Sequence, residues 1–174
     1  MFRIITDRLI IIPLDKEQLE LCINAYGEME KTLGLNNTDT RQSERQKSVC
    51  KIRLNGVMDN PIRYMWFTVW IIVHKEENKI IGSAMIKGYP NQKGEVIVGY
   101  GVNESYRCKG YATEALKAMI NWIFENPNAK IIVADTLKDN IPSHRVLQKL
   151  HMKVYKEDSE CYWWKIKREE IGME

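Results

Sequence analysis

The chain has 174 residues, 44% of them hydrophobic, and this length suits one domain with a full core. Its 26 basic and 23 acidic side chains leave a net charge of +3, too small an excess to favour nucleic acid or an anionic membrane as a partner. The N-terminus lacks the apolar region of a secretory signal, and no apolar run approaches the roughly 20 residues that span a bilayer. We therefore expect one cytoplasmic domain over residues 1–174, with no nucleic-acid or membrane partner.

The four cysteines, Cys22, Cys50, Cys108 and Cys161, include no C-x-x-C pair. Their spacing indicates neither a zinc site nor a disulfide framework. A reduced, cytoplasmic environment is the one that suits unpaired cysteines. We predict no metal site.

The first third of the chain predicts one strand followed by two helices. Residues 4–14 are rich in Ile and Leu and predict an opening strand. Residues 16–31 place apolar side chains three and four apart, which indicates an amphipathic helix. Residues 36–59 are polar with a weaker apolar stripe. This segment predicts a second helix that shapes a substrate entrance.

The middle of the chain predicts three antiparallel strands. Residues 66–74 and 79–87 are apolar, β-branched runs joined by a polar turn of hairpin length. Residues 94–103 form a third run with two internal glycines, which often mark close approach of a ligand. The histidines His74 and His144 are expected at the surface.

The segment 107–115 follows the third of these strands and opens a predicted helix at 111–124. A helix N-terminus carries unpaired N–H groups and the positive end of the macrodipole, so anions bind there. Gly110 allows the backbone a close approach, and Ala112 is small enough to leave it open. The segment therefore predicts an anion-binding turn.

The last third alternates strands and helices. It predicts a strand at 130–136, a helix at 142–150 and two closing strands near 152–155 and 161–166. A second polar helix start, 139–143, follows the anion turn one strand later. The whole order describes an α/β domain (α+β mixed) whose central mixed sheet carries helices on both faces.

These motifs resemble those of the GCN5-related N-acetyltransferases, and within them the group that includes the ribosomal-protein N-terminal acetyltransferases. The resemblance spans nearly the whole chain and depends on Thr6-Asp7-Arg8-Leu9, Gly99-Tyr100, residues 107–115, residues 139–143 and Lys149-Leu150. It implies a mostly antiparallel sheet with a V-shaped opening between the fourth and fifth predicted strands, at 94–103 and 130–136. It also implies acetyl-CoA as co-substrate, with its pantetheine arm in that opening.

The resemblance assigns the co-substrate to a defined set of residues. They are Tyr100, Gly101, Val102, Arg107, Cys108, Lys109, Gly110, Tyr111, Ala112, Thr113, Asn140 and Ser143. In many relatives a tyrosine protonates the leaving thiolate, but Leu147 stands in that position, so Ser143 becomes the candidate acid. Taken alone, Asn140 is also a typical helix N-cap and Ser143 a typical first-turn hydroxyl.

The base that accepts the amine proton has two candidates. Several relatives carry Glu two residues before the Gly-Tyr pair, where this chain has Ile97. Glu95 lies two positions earlier with the same strand parity, and Asp135 ends the fifth predicted strand. Either carboxylate could relay the proton through water, and either could be a solvated or ion-paired surface group.

The implied activity is acetyl transfer from acetyl-CoA to a primary amine by direct attack, the acceptor being a protein N-terminus or a small amine. The alternative is a CoA-binding regulatory or interaction protein without turnover, because Ile97 occupies the usual acidic position. A homodimer is compatible with a domain of this size.

Overall fold

In a computed structural model of the chain, which describes residues 1–171, eight strands form a single sheet in the order β1-β2-β3-β4-β5-β6-β8-β7. The strands are β1 (Ile4–Ile5), β2 (Leu9–Pro13), β3 (Val69–His74), β4 (Lys79–Ile86), β5 (Glu95–Val102), β6 (Ile131–Leu137), β7 (Lys153–Glu157) and β8 (Cys161–Lys167). The α-helices are α1 (Lys16–Asn24), α2 (Tyr26–Thr32), α3 (Glu44–Asp59), α4 (Tyr111–Glu125) and α5 (Ile141–Lys149). Within residues 1–171, none of the helices has the length and apolar character needed to cross a membrane.

The sheet is mixed and mostly antiparallel, as predicted. Only β5 and β6 run parallel, and their pairing extends from Glu95 opposite Ile131 to Val98 opposite Ala134. Beyond that point β5 continues along β4, whereas β6 continues along β8. The two strands thus separate at their C-terminal ends, and the predicted V-shaped opening between them is confirmed.

Helices cover both faces of the sheet and define two cores. On one face α4 and α5 pack over side chains that include Trp70, Ile72 and Val98. On the other face α1, α2 and α3 pack over β2, β3 and β4. All six residues of β3 are buried, because a central strand with helices on both sides has no solvent face. The predicted helices on both faces are therefore confirmed.

Two predicted elements of the N-terminal third are each divided in two. The predicted strand 4–14 is a tight hairpin, in which Ile4 lies opposite Ile11 and the Leu9 N–H donates to Thr6 Oγ1. The predicted helix 16–31 breaks at Ala25, whose φ of −152° and ψ of 67° are not helical. The apolar spacing persists across both breaks, so periodicity alone missed them.

The surface positions predicted for two histidines are wrong. His74 is 7% exposed and its Nε2 lies 2.9 Å from Tyr111 Oη. His144 is 8% exposed and its Nε2 lies 2.9 Å from the Leu137 carbonyl oxygen. Each ring finds a polar partner inside the fold, and this partner offsets the cost of burying its nitrogens.

The core under α4 generates a stability prediction. Met119 is fully buried there, so Met119→Ala removes apolar contacts and leaves a cavity. We expect a loss of about 2–5 kcal/mol in the free energy of unfolding, measured by urea denaturation. Lys117→Ala, at an exposed position on the same helix, is the control and should change stability by less than about 0.5 kcal/mol. Equal losses in the two variants would contradict this description of the core.

Candidate functional site

A cavity of about 550 Å³ opens where β5 and β6 separate. It is bounded by the end of β5, the turn that precedes α4 together with the first turn of α4, and one side of α5 along its length. The lining residues are Tyr100, Gly101, Val102, Tyr106, Arg107, Cys108, Gly110, Tyr111, Ala112, Thr113, Asn140, Pro142, Ser143, Arg145, Val146 and Lys149. The structure therefore brings together every residue predicted to hold the co-substrate except Lys109.

The turn before α4 leaves backbone donors at the cavity. Gly110 is the N-cap of α4, with φ of 85°, and it supplies no side-chain acceptor to the first helical turn. The N–H groups of the first turn, which begins at Tyr111, thus carry the positive end of the helix into the cavity. Cys108 also adopts a left-handed conformation, with φ of 61°, at a cost of roughly 1–2 kcal/mol for a residue with a side chain. This backbone geometry suits an anion.

Cationic side chains surround the same turn. Arg107 lies in the turn itself, and Arg145 and Lys149 line the cavity from α5. The two α5 residues are exposed and four apart, so they share one face of the helix. The sequence analysis missed them, although their spacing after the 139–143 helix start was a readable signal. With the helix N-terminus, these charges make the cavity attractive to a polyanion.

A partly exposed set of hydrogen bonds, called here the Glu114 clamp, connects the N-terminal hairpin to α4. Glu114 accepts hydrogen bonds from Thr6 Oγ1 at 2.6 Å and from Arg8 Nε at 2.7 Å. The same arginine donates through Nη1 to the carbonyl of Lys109, at 2.9 Å, inside the anion turn. Burial alone would raise the pKa of Glu114, but hydrogen bonds from Thr6 and Arg8 outweigh it and hold the pKa below its ordinary value. The clamp therefore fixes the position of the turn relative to the N-terminal hairpin.

The first residue of α4 is anchored on its other side. The Arg8 guanidinium lies 4.4 Å from the centre of the Tyr111 ring, an arrangement that gives a cation–π contact. The Tyr111 hydroxyl reaches His74 on β3. The start of α4 is thus held by both the hairpin and the central sheet, which pre-organises its N–H groups.

The free edge of β5 forms one wall of the cavity. Residues 99–102 pair with β4 on one side and have passed the end of pairing with β6 on the other. The Tyr100 side chain crosses to α5, where its hydroxyl donates to the Ser143 carbonyl at 3.2 Å. Burial raises the pKa of Tyr100 to about 12, so this hydroxyl stays neutral. The resemblance placed Tyr100 in the co-substrate set, and this bridge between β5 and α5 was not predicted.

The start of α5 forms the opposite wall. Asn140 caps the helix, accepting the Ser143 N–H at 3.3 Å, and Pro142 lies in the first turn. The structural interpretation of Asn140 is therefore confirmed. Ser143 is partly exposed and lines the cavity, whereas Leu147 is fully buried in the core.

The two candidate bases lie away from this cavity and far from one another. Asp135 directly follows Ala134, the last β6 residue paired with β5, so it lies where the strands separate. Lys87 Nζ approaches Asp135 Oδ1 to 3.1 Å. Glu95 is four residues before the separation, roughly 13 Å along the strand, and its Oε2 accepts from Asn91 at 2.9 Å.

Strand alternation places both carboxylates on the face of the sheet opposite Tyr100. Glu95 and Ile97 point away from the core formed by Val96 and Val98, and Asp135 points away from the core formed by Ala134. The sheet opening thus has a cationic cavity on one face and Asp135 on the other.

Comparison with known proteins places this architecture among acetyltransferases. A family model described as the acetyltransferase (GNAT) domain matches residues 8–153. The uncharacterized N-acetyltransferase YjdG of Bacillus subtilis (strain 168) is 34% identical over 98 residues, which are 56% of this chain and 58% of that protein. The uncharacterized N-acetyltransferase YnaD of the same organism is 33% identical over 82 residues, 47% of this chain and 48% of that protein. The chain therefore spans about half the length of these relatives.

Two solved structures share the fold over nearly their whole length. Ribosomal-protein-S5-alanine acetyltransferase from Vibrio fischeri superposes with a TM-score of 0.72 at 18% identity, covering 98% of both chains. RimL, a ribosomal L7/L12 alpha-N-protein acetyltransferase in complex with coenzyme A, gives a TM-score of 0.69 at 12% identity, covering 95% of this chain and 98% of that one. At these identities the comparison shows the fold.

The Glu114 clamp predicts a pH-dependent contribution to stability. Because its folded pKa lies below the ordinary value of 4.5, the stabilisation is complete above about pH 5 and is lost as pH falls through the folded pKa. We expect Glu114→Gln to lower the free energy of unfolding by about 1 kcal/mol at pH 7, a figure reduced for the exposure of Arg8. In urea denaturation the difference in free energy of unfolding between wild type and variant should become smaller below pH 4.5. A difference that stays constant down to pH 3 would contradict the clamp.

Proposed function

The chain belongs to the GNAT acetyltransferase family, and from this membership we propose that it transfers an acetyl group from acetyl-CoA to a primary amine. The observation that carries the proposal is the cavity at the β5–β6 separation, which combines a helix N-terminus, cationic side chains and a free strand edge. Acetyl-CoA has matching parts, a diphosphate, a chain with two amides and a thioester. The fit of three adjacent features to three parts of one molecule supports it as the co-substrate.

The residues of the cavity would hold the co-substrate in distinct ways. The first-turn N–H groups of α4, with Arg107, would bind the diphosphate. Arg145 and Lys149 would add attraction for the phosphates from the α5 side. The backbone groups at 99–102 that face the opening would pair with the amide-bearing arm as a neighbouring strand would, although the Val102 carbonyl already accepts from Arg107 Nε at 3.2 Å. The Asn140 amide, with two N–H donors besides the oxygen used for capping, would reach the same arm.

The reaction needs two proton transfers, one from the attacking amine and one to the departing thiolate, and the two groups that carry them out would lie on opposite sides of the thioester. Amines are mostly protonated at neutral pH, so one proton must leave before attack on the carbonyl carbon. We assign this proton to Asp135, through water, because Asp135 lies at the strand separation and Glu95 does not. The neutral amine nitrogen then bonds to the carbonyl carbon, the carbon–sulfur bond breaks, and the nitrogen loses its second proton to water to give the amide. Ser143, on the cavity side, is the proposed donor of a proton to the departing thiolate, and water returns a proton to its hydroxyl.

A protein N-terminus is the acceptor class that we favour. The solved structures with the same fold include enzymes named for acetylating ribosomal proteins at alanine or at the alpha-amino group. In this chain Asp135 lies on the opposite face from the co-substrate cavity, which leaves that face for the approach of a separate polypeptide. Small amines are the competing class.

The proposal predicts acceptor-dependent release of coenzyme A. Purified protein is incubated with acetyl-CoA and a panel of N-terminal peptides, polyamines and amino acids, and free thiol is followed while acetyl-CoA affinity is measured separately. We expect binding, and release with at least one peptide. Binding without release across the panel would favour the non-enzymatic alternative that Ile97 suggests, and absence of binding would contradict the cavity assignment.

A glycine pair supplies the matched control for that experiment. Gly110→Ala forces a side chain into a left-handed conformation, with its Cβ 3.3 Å from Arg8 Nη2. In the free protein the turn can relax away from this conformation, and binding must then restore a strain of about 1–2 kcal/mol, which should weaken acetyl-CoA binding about tenfold. Gly27→Ala has no atom within 4 Å of the added Cβ and should bind as wild type does.

Glu95 and Asp135 lie on the face of the sheet opposite the cavity, called here the acceptor face, and they give a second prediction. Asp135→Asn should lower kcat/KM by about 100-fold, because loss of a general base typically costs at least that factor. Glu95→Gln, on the same face but away from the separation, should keep kcat/KM within about threefold of wild type. The measurement is steady-state kinetics in which the acceptor concentration is varied at saturating acetyl-CoA, so that kcat/KM refers to the acceptor. The reverse ranking would assign the base to Glu95.

A further inference from the structure

Two buried cysteines from different helices lie in contact. Cys22 on α1 and Cys50 on α3 have their Sγ atoms 3.3 Å apart. The residues are only 3% and 5% exposed. A disulfide has an S–S distance of about 2.05 Å, so a small approach of two adjoining helices would bring the sulfurs to bonding distance. The spacing of the two cysteines in the chain gave no sign of this pairing.

The surroundings of the pair distinguish it from ordinary apolar packing. Gln42, which precedes α3, donates through Nε2 to Cys22 Sγ at 3.4 Å. Among the described residues, the Gln42 Oε1 atom is buried without a hydrogen-bond partner. A buried oxygen without a hydrogen-bond partner costs free energy, so the buried position of the Gln42 side chain is less stable. Arg41 and Ser43, on either side of Gln42, are exposed. Displacement of Gln42 would therefore open a short path from solvent to the thiols.

The chemistry of the pair is asymmetric. The contact with Cys50 and burial raise the pKa of the Cys22 thiol. The hydrogen bond from Cys22 lowers the pKa of the Cys50 thiol. The thiolate is the reactive form of cysteine, and this asymmetry favours Cys50 as the nucleophile and Cys22 as the resolving thiol.

We propose that Cys22 and Cys50 form a reversible disulfide that links α1 to α3 when the protein is oxidised by a peroxide. The Cys50 thiolate attacks one peroxide oxygen, the O–O bond breaks, and Cys50 becomes a sulfenic acid with release of water after protonation. The Cys22 thiol then attacks the Cys50 sulfur, an S–S bond forms, and a second water leaves. The net change is two thiols and one hydrogen peroxide to one disulfide and two waters, with sulfur oxidised and peroxide reduced.

The disulfide would act on the acceptor face of the sheet. Arg53 lies one helical turn after Cys50 on α3, and its Nη1 lies 3.5 Å from the Ile86 carbonyl oxygen. The next residue, Lys87, is the ion-pair partner of Asp135. Fixing α3 against α1 therefore constrains the helix that contacts the strand end beside the proposed base. This consequence rests on the proposed function, whereas formation of the disulfide does not.

The test for the bond is chemical. Reduced full-length protein is treated with hydrogen peroxide, alkylated and digested with trypsin without reductant. We expect peptides 17–31 and 48–51 to be joined and lighter by two hydrogens, and free thiols to fall from four to two per chain. The thermal unfolding midpoint should rise by roughly 5–10 °C. Cys22→Ala and Cys50→Ala should each abolish the linked peptide, and whichever of them retains the wild-type circular dichroism serves as the test variant.

Matched variants separate the pair from the other two cysteines. Cys108→Ala and Cys161→Ala should form the linked peptide as wild type does, because neither contributes to the contact. Retention of four free thiols by folded wild type, or cross-linking through Cys108 or Cys161 alone, would overturn the proposal.

The effect on function has its own readout. With an acceptor from the panel, oxidation should change the acceptor KM at least threefold and leave acetyl-CoA affinity unchanged. Dithiothreitol should restore the original KM. Cys50→Ala should show no such response. A linked peptide with an unchanged KM would overturn the coupling to the acceptor face. Absence of turnover with every amine would count against the proposed function, while the peptide analysis would still decide the disulfide.

Discussion

The end of pairing between β5 and β6 is the constraint on which the rest of the structure depends. Two strands that run side by side from Glu95 and Ile131 stop pairing after Val98 and Ala134, and each continues along its other neighbour. β5 stays with β4, and β6 stays with β8, where Trp164 Nε1 donates to Thr136 Oγ1 at 2.9 Å. Beyond that point the edge of β5 at 99–102 no longer pairs with β6, and an unpaired strand edge is a template for hydrogen bonding. The opening is built into the sheet and needs no lid to create it.

The elements that surround the opening hold it in a form ready for an anionic ligand. α4 begins beside it, and the helix N-terminus is fixed from two directions by Arg8 and His74. α5 closes the other side, bridged to β5 by the Tyr100 hydroxyl. Binding energy is not spent on ordering these groups, because packing has already positioned them. The same sheet presents Asp135 on its opposite face, so the two proton transfers of the proposed reaction are served from separate sides.

The layer formed by α1, α2 and α3 has a different character from the layer formed by α4 and α5. It covers β2, β3 and β4 and contains polar and sulfur groups within an apolar core, among them Cys22, Cys50 and Gln42. Through Arg53 it reaches the end of β4. A change in this layer would therefore reach the side of the opening that carries Asp135, while the turn before α4 is held by other contacts. In the proposed function, the residues that would bind the co-substrate are thus separate from those that would shape the approach of the acceptor.

The amino-acid sequence by itself determined most of the elements, since helix and strand periodicities are local patterns. It also predicted an anion-binding turn, because a glycine at a helix start after a strand is a contiguous motif, and Arg107, Cys108 and residues 110–113 of that segment line one cavity. It missed the breaks at Thr6 and Ala25, since apolar spacing continues through both.

Only the tertiary structure decided which distant residues meet. The contact of Glu114 with Thr6 joins positions 108 residues apart, and the contact of Cys22 with Cys50 joins two helices. Choosing Asp135 over Glu95 as the proposed base required the register of β5 against β6. Register, helix packing and long-range hydrogen bonds are set by how whole elements fit around a shared core, and no local pattern of residues contains that information.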